Sequence, residues 1–149
     1  MRVSAVLILL FASLSSVALA QSQPDVSAYK PYLGVWTAQF KGKPFLTLKL
    51  AIKEGILTGS MTGATVRFEK DGSLKEATPK DEQRDVIDAL LNAGQLYFKT
   101  KEADKPPVGF QMKLTGPHSG ELKLIIPGLP PGGADVKPWP IERQTGEQK

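Results

Sequence analysis

The sequence has 149 residues, of which 41% are hydrophobic and 23% charged, with 19 basic and 15 acidic side chains, one histidine and no cysteine. The missing thiols exclude disulfides, thiolate metal sites and an anchor acylated on cysteine, and one histidine leaves little from which to build a zinc or copper site. The chain is long enough for one domain with a substantial core.

Its first segment predicts export. Met1-Arg2 is followed by the apolar run Val6–Phe11 and by Val17-Ala18-Leu19-Ala20, the basic, apolar and small-residue parts of a signal peptide. The apolar run falls short of the roughly 20 residues that span a bilayer, so no stable membrane anchor is expected. Cleavage after Ala20 removes Arg2 alone among charged residues, leaving 18 basic against 15 acidic side chains, a net charge of +3. With no cysteine and no glycosylation acceptor at Asn92, the sole asparagine, the expected location is periplasmic or secreted. The lysines are scattered singly and are not interleaved with aromatics, which argues against nucleic acid as a partner.

Residues 21–31 read as a polar leader, 32–144 as the folded domain and 145–149 as a disordered tail. Within the domain the dominant hydrophobic period is two. Leu46, Leu48, Leu50 and Ile52 share one strand face, while Thr47, Lys49 and Lys53 share the other. The same alternation returns in Phe110–Leu114 and Glu121–Ile126, and more weakly in Gln95–Lys99. Gly42-Lys43-Pro44, Glu54-Gly55, Thr62-Gly63, Asp71-Gly72, Asn92-Ala93-Gly94 and Gly116-Pro117 punctuate these runs with turn chemistry. About ten short strands are predicted: 35–41, 45–53, 56–62, 64–69, 73–77, 85–91, 95–101, 109–115, 120–126 and 137–143. An antiparallel meander of that size removes its open edges by closing, so the expected fold is all-β, a barrel of about 8–10 strands with at most one short helix.

Two segments depart from the pattern. Thr78-Pro79-Lys80-Asp81 has helix-capping chemistry, and Val86, Ile87, Leu90 and Leu91 would then form a helical stripe ending at Gly94. The same residues also read as a strand entering a hairpin. The stretch 127–138 holds four prolines around Gly132-Gly133 and is expected to be a loop.

Gly34-Val35-Trp36 opening the first strand, with Arg143 on the closing strand, resembles the calycin superfamily of lipocalin-like and avidin-like barrels. The resemblance implies structural roles for three residues: Gly34, Trp36 plugging one barrel end, and Arg143 packed across the indole. The chain is also similar to small exported bacterial proteins of unassigned function, through Phe45–Leu50, Gly55-Ile56-Leu57-Thr58-Gly59 and Pro138-Trp139. In that group the region matching 84–91 is a strand, which favours a strand here.

No constellation carries evident catalysis. His118 and Ser119 are adjacent in a turn, and adjacent side chains do not converge as base and nucleophile. Asp81, Glu82, Asp85 and Asp88 lack the alternating oxygen ligands and turn glycine of a calcium loop. The glycines at 55, 59 and 63 lack the spacing of a phosphate loop, and Thr58 stands where a nucleophile elbow needs glycine. The expectation is a non-enzymatic module without cofactor or metal. The inward apolar set is Leu46, Leu48, Leu50, Ile52, Leu57, Leu96, Phe98, Phe110, Met112, Leu114, Leu122, Leu124 and Ile126. A barrel lined this way either fills with side chains or holds one small ligand. For a ligand, the candidate contacts are Leu48, Leu50, Phe98, Phe110, Met112 and Leu124, with a small apolar molecule as partner and the protein a monomer. For a filled barrel, the alternative is a protein-interaction or inhibitor module of the cell envelope that uses loops 102–108 and 127–138.

Overall fold

A computed structural model describes residues 25–126 and 135–146. The predicted signal peptide 1–20, residues 21–24, most of the proline-rich stretch 127–138 and residues 147–149 lie outside them. The architecture is a closed barrel of eight antiparallel strands in simple up-and-down order. The strands are β1 (Gly34–Phe40), β2 (Lys43–Lys53), β3 (Ile56–Phe68), β4 (Leu74–Asn92), β5 (Gln95–Lys101), β6 (Val108–Leu114), β7 (Ser119–Ile125) and β8 (Trp139–Arg143). β1 pairs with β8 through Trp36 opposite Arg143, which closes the ring and leaves no free edge along the wall.

Ten expected strands become eight because two pairs fuse. Segments 56–62 and 64–69 are one strand, with a register shift between Thr62 and Ala64 where Gly63 suggested a turn. Segments 73–77 and 85–91 are both parts of β4, which runs through Thr78-Pro79 without a helix. Its pairing with β3 and then β5 supplies the backbone bonds that a helix would have made internally. Pro79 lies opposite Ala64, where β4 has a neighbour on one side only, so its missing N–H costs no second ladder.

The leader also differs from expectation in its second half. Val26–Tyr32 forms a 3-10 helix, started by Asp25, whose carboxylate accepts the Ser27 N–H at 3.0 Å. The helix lies over one end of the barrel and buries Tyr32. We call this the closed end. It also carries the β2–β3, β4–β5 and β6–β7 turns.

The interior is a continuous apolar core including Trp36, Leu48, Leu96, Met112, Leu122 and Ile141, each 1% exposed or less. One expected inward residue escapes: Ile126, just past the end of β7, is exposed. Phe45 makes the opposite move. Ala38 pairs with Leu46 and Gln39 with Pro44, so Phe45 is the extra residue of a bulge. The bulge lets consecutive Phe45 and Leu46 both turn inward, and both are buried.

Candidate functional site

The end of the barrel opposite the 3-10 helix is built differently. Past Met61, β3 has no pairing with β2, and before Asp85, β4 has none with β5. Residues 62–84 therefore continue beyond the wall as a two-stranded ribbon. Its edges carry alternating charges, with Arg67 and Glu76 paired across the strands at 3.5 Å. Charged edges of this kind discourage pairing with other chains.

The ribbon is tied back to the chain entering β8. The Lys137 N–H donates to the Gly72 carbonyl at 2.9 Å, and the Lys137 ammonium meets the Asp71 carboxylate at 3.1 Å. Gly72 has φ +84°, and a Cβ there would stand 2.0 Å from the Asp135 carbonyl oxygen, so only glycine permits the approach. Hydrogen bonds from Ser73 and Lys137 hold the Asp71 carboxyl well below its ordinary range. Behind the tip, Phe68 stacks on Trp139 with centroids 6.3 Å apart, and Phe45 meets the same indole edge-on at 5.8 Å.

Between ribbon and barrel mouth lies a cavity of about 160 Å³. Its floor is Leu46 and Met61, one side is the ribbon's Thr62–Ala64 and Val66, and the other is Val108, Phe110 and Leu124. Trp139 and Arg84 complete the lining. Of the six residues named as ligand contacts, Phe110 and Leu124 line this space. Leu48, Leu50, Phe98 and Met112 sit in the packed interior away from it, with Phe98 stacked on Phe110 at 5.6 Å.

Arg84 was hidden in the sequence among acidic neighbours. It faces Met61 across the ladder, on the inward side of β4 two residues before buried Val86. That period-two step from Val86 was the available signal. Its guanidinium meets the Glu102 carboxylate at 3.5 Å, and Glu102 is bound more closely by Lys105 at 2.9 Å. The Lys105 hydrogen bond, with Arg84 and Lys80 nearby, holds the Glu102 carboxyl below its ordinary value, and the same hydrogen bond raises Lys105. Loop 102–108 is therefore tied to the mouth through Arg84. Val136, next to the 127–134 stretch, is buried.

Among the described residues, four polar side-chain atoms at this end are buried without a well-aligned hydrogen-bond partner: Arg84 Nε, Trp139 Nε1, Thr100 Oγ1 and Glu102 Oε2, the last of which still has the Lys105 ammonium at 2.9 Å. Thr100 is 1% exposed and stands in register between Val86 and the cavity-lining Val108. Buried polar atoms rarely go unpaired, since each orphan costs about 1–3 kcal/mol.

The closed end has its own tryptophan and arginine. Trp36 is fully buried and its Nε1 donates to the Tyr32 carbonyl at 2.8 Å. The Tyr32 hydroxyl donates to the Gly94 carbonyl at 2.8 Å, pinning the 3-10 helix to the β4–β5 turn. The Arg143 guanidinium lies 4.7 Å from the Trp36 ring centre and donates to the Pro31 carbonyl. Gly34, at φ +118°, leaves the space beside the Arg143 side chain. A flat cation on an indole face, partly desolvated, is a favourable contact.

The remaining candidates are not assembled into sites. Glu82 pairs with Lys105 and Asp88 with Lys99, both at 3.8 Å, so the acidic cluster is strung along β4 against lysines. Among the described residues, no three side chains of metal-binding type come together. His118 is exposed in the β6–β7 turn, and its carbonyl accepts the Arg143 N–H. Among the described residues no helix is long and apolar enough to cross a membrane. No family model, curated protein or solved structure matches the chain.

Proposed function

We propose that this chain is an exported, calycin-like binding barrel that holds a small apolar molecule at its mouth, and that it works by binding rather than by catalysis. One observation carries the reading: the apolar cavity of about 160 Å³ beneath the β3–β4 ribbon, lined by Leu46, Met61, Val66, Val108, Phe110, Leu124 and Trp139. Drug-sized ligands occupy pockets of roughly 300–1,000 Å³. An apolar cavity of about 150 Å³ accepts benzene. The size therefore suits one ring or a short chain. Export rests on the signal sequence, and kinship with calycins on the Gly34, Trp36 and Arg143 arrangement.

The solid interior around Leu48, Leu50, Phe98 and Met112 favours a second reading, an envelope-protein partner that uses loop 102–108 and the ribbon rather than a cavity. Titration with toluene separates the two. Saturable binding, with shifts confined to cavity residues and a raised melting temperature, supports the ligand site. An unchanged spectrum up to the solubility limit of toluene contradicts it and favours the partner. Native mass spectrometry of protein recovered from its own compartment would then show whether a molecule stays bound.

A further inference from the structure

The mouth cavity is apolar in bulk, yet two of the residues that line it each carry a buried N–H without a partner. Trp139 Nε1 and Arg84 Nε are both N–H groups that can only donate. Trp139 is 5% exposed and Arg84 has a fifth of its side chain exposed, so water satisfies neither fully. Both residues line the cavity. At the other barrel end, the corresponding indole N–H is paired with a carbonyl, so the fold is able to satisfy a buried tryptophan.

Resting on the ligand-binding reading above, we propose that the occupant is a small organic acid. Its body, about one ring or a short chain in size, fills the apolar space, and its carboxylate accepts from Arg84 Nε and Trp139 Nε1. Two orphan donors call for acceptors, and a permanent guanidinium favours an acceptor that is charged. Arg84 has donors to spare. Among the described residues its ionic partner is Glu102, which lies at 3.5 Å and is held more tightly by Lys105, so the guanidinium is not saturated. Thr100, whose hydroxyl is also unpartnered, lies next in register to Val108 and is placed to extend the polar side of the site. The cavity volume limits the acid. At about 160 Å³ it matches a benzoate-sized body.

The test uses benzoate, its neutral counterpart benzamide, and toluene, titrated at neutral pH by calorimetry or ligand-observed NMR. Benzoate is expected to bind about tenfold or more tightly than benzamide, the ratio that charge-assisted hydrogen bonds supply. Arg84→Gln should erase that preference while toluene affinity stays as in the wild type, which also shows that the variant is folded. Trp139→Phe, which keeps a ring against Phe45 and Phe68 but removes the N–H, should weaken benzoate several-fold and leave toluene unchanged. Equal binding of benzoate and benzamide to the wild type overturns the acid proposal, even if Arg84→Gln fails to fold, and leaves an apolar site standing when toluene binds. Failure of all three to bind overturns the acid and the ligand-binding reading together.

Discussion

The two ends of the barrel use the same side chains to opposite effect. Each holds one buried tryptophan and one arginine on the inward face of a strand. At the closed end Trp36 gives its N–H to the Tyr32 carbonyl, and Arg143 covers the ring and reaches the Pro31 carbonyl. At the mouth, Trp139 and Arg84 keep N–H groups free beside an apolar space. Arg143 also has an unpartnered Nε, but the hollow it borders is an open one between the β6–β7 turn and the chain leaving β8, lined by Pro117, His118, Ser119 and Glu142 rather than by apolar core residues. One end is finished by the chain's own carbonyls. The other is unfinished in a way that a ligand can complete. A fold at its stability threshold tolerates a few unsatisfied groups where function requires them.

The largest expected effect tests the finished end. Trp36→Ala should cost about 3–5 kcal/mol in denaturant unfolding, because a fully buried indole is lost along with its hydrogen bond and cation contact. Next comes the ribbon. Gly72→Ala puts a Cβ into the Asp135 carbonyl and strains a positive φ, at about 1–3 kcal/mol. Its signature should be faster exchange of the Lys137 amide, which donates to Gly72, with the Trp36 region untouched. Comparable loosening at both ends would mean that the ribbon is integral to the barrel.

A paired substitution sharpens the contrast further. Trp36→Phe breaks a satisfied hydrogen bond, whereas Trp139→Phe deletes an orphan, so the former should be worse by about 1–2 kcal/mol. Equal costs would indicate that the Trp139 N–H is satisfied in solution.

The smallest effect concerns Asp71 at the ribbon tip. Its folded pKa lies below the ordinary 3.8, so it stabilises the folded state above that value, and the contribution fades as pH falls below it. Asp71→Asn should therefore trail the wild type at neutral pH and converge with it in strong acid. A gap that persists unchanged to low pH would show that the carboxylate charge is irrelevant to the tie with Ser73 and Lys137.

The wall of the barrel was legible in the sequence where strands are paired on both sides and wet on one face. Leu46, Leu48 and Leu50 of β2 announce their inward side because every second residue meets water. The ribbon was not legible. Gly63 and Thr78-Pro79 carry the local chemistry of a turn and a helix start, and only pairing between β3 and β4 turns both into continuous strand. Phe45 escaped the alternation for a similar reason, since a bulge in the β1–β2 ladder reverses its face. The cavity inherits these blind spots. Phe110 and Leu124 were visible as inward apolar residues, but Arg84 sits in a charged run whose inward face is fixed by long-range register. Which inward residues pack and which surround a space depends on how far the ribbon leans, a tertiary property.

The most direct measurement of the difference between the two ends is a nitrogen–proton spectrum of the two indole N–H groups, assigned through Trp139→Phe and recorded while benzoate is added. The Trp139 signal should move saturably with benzoate and exchange readily with solvent when free. The Trp36 signal should stay fixed and protected throughout. A stationary Trp139 signal, or both signals moving together, would contradict that difference between the ends.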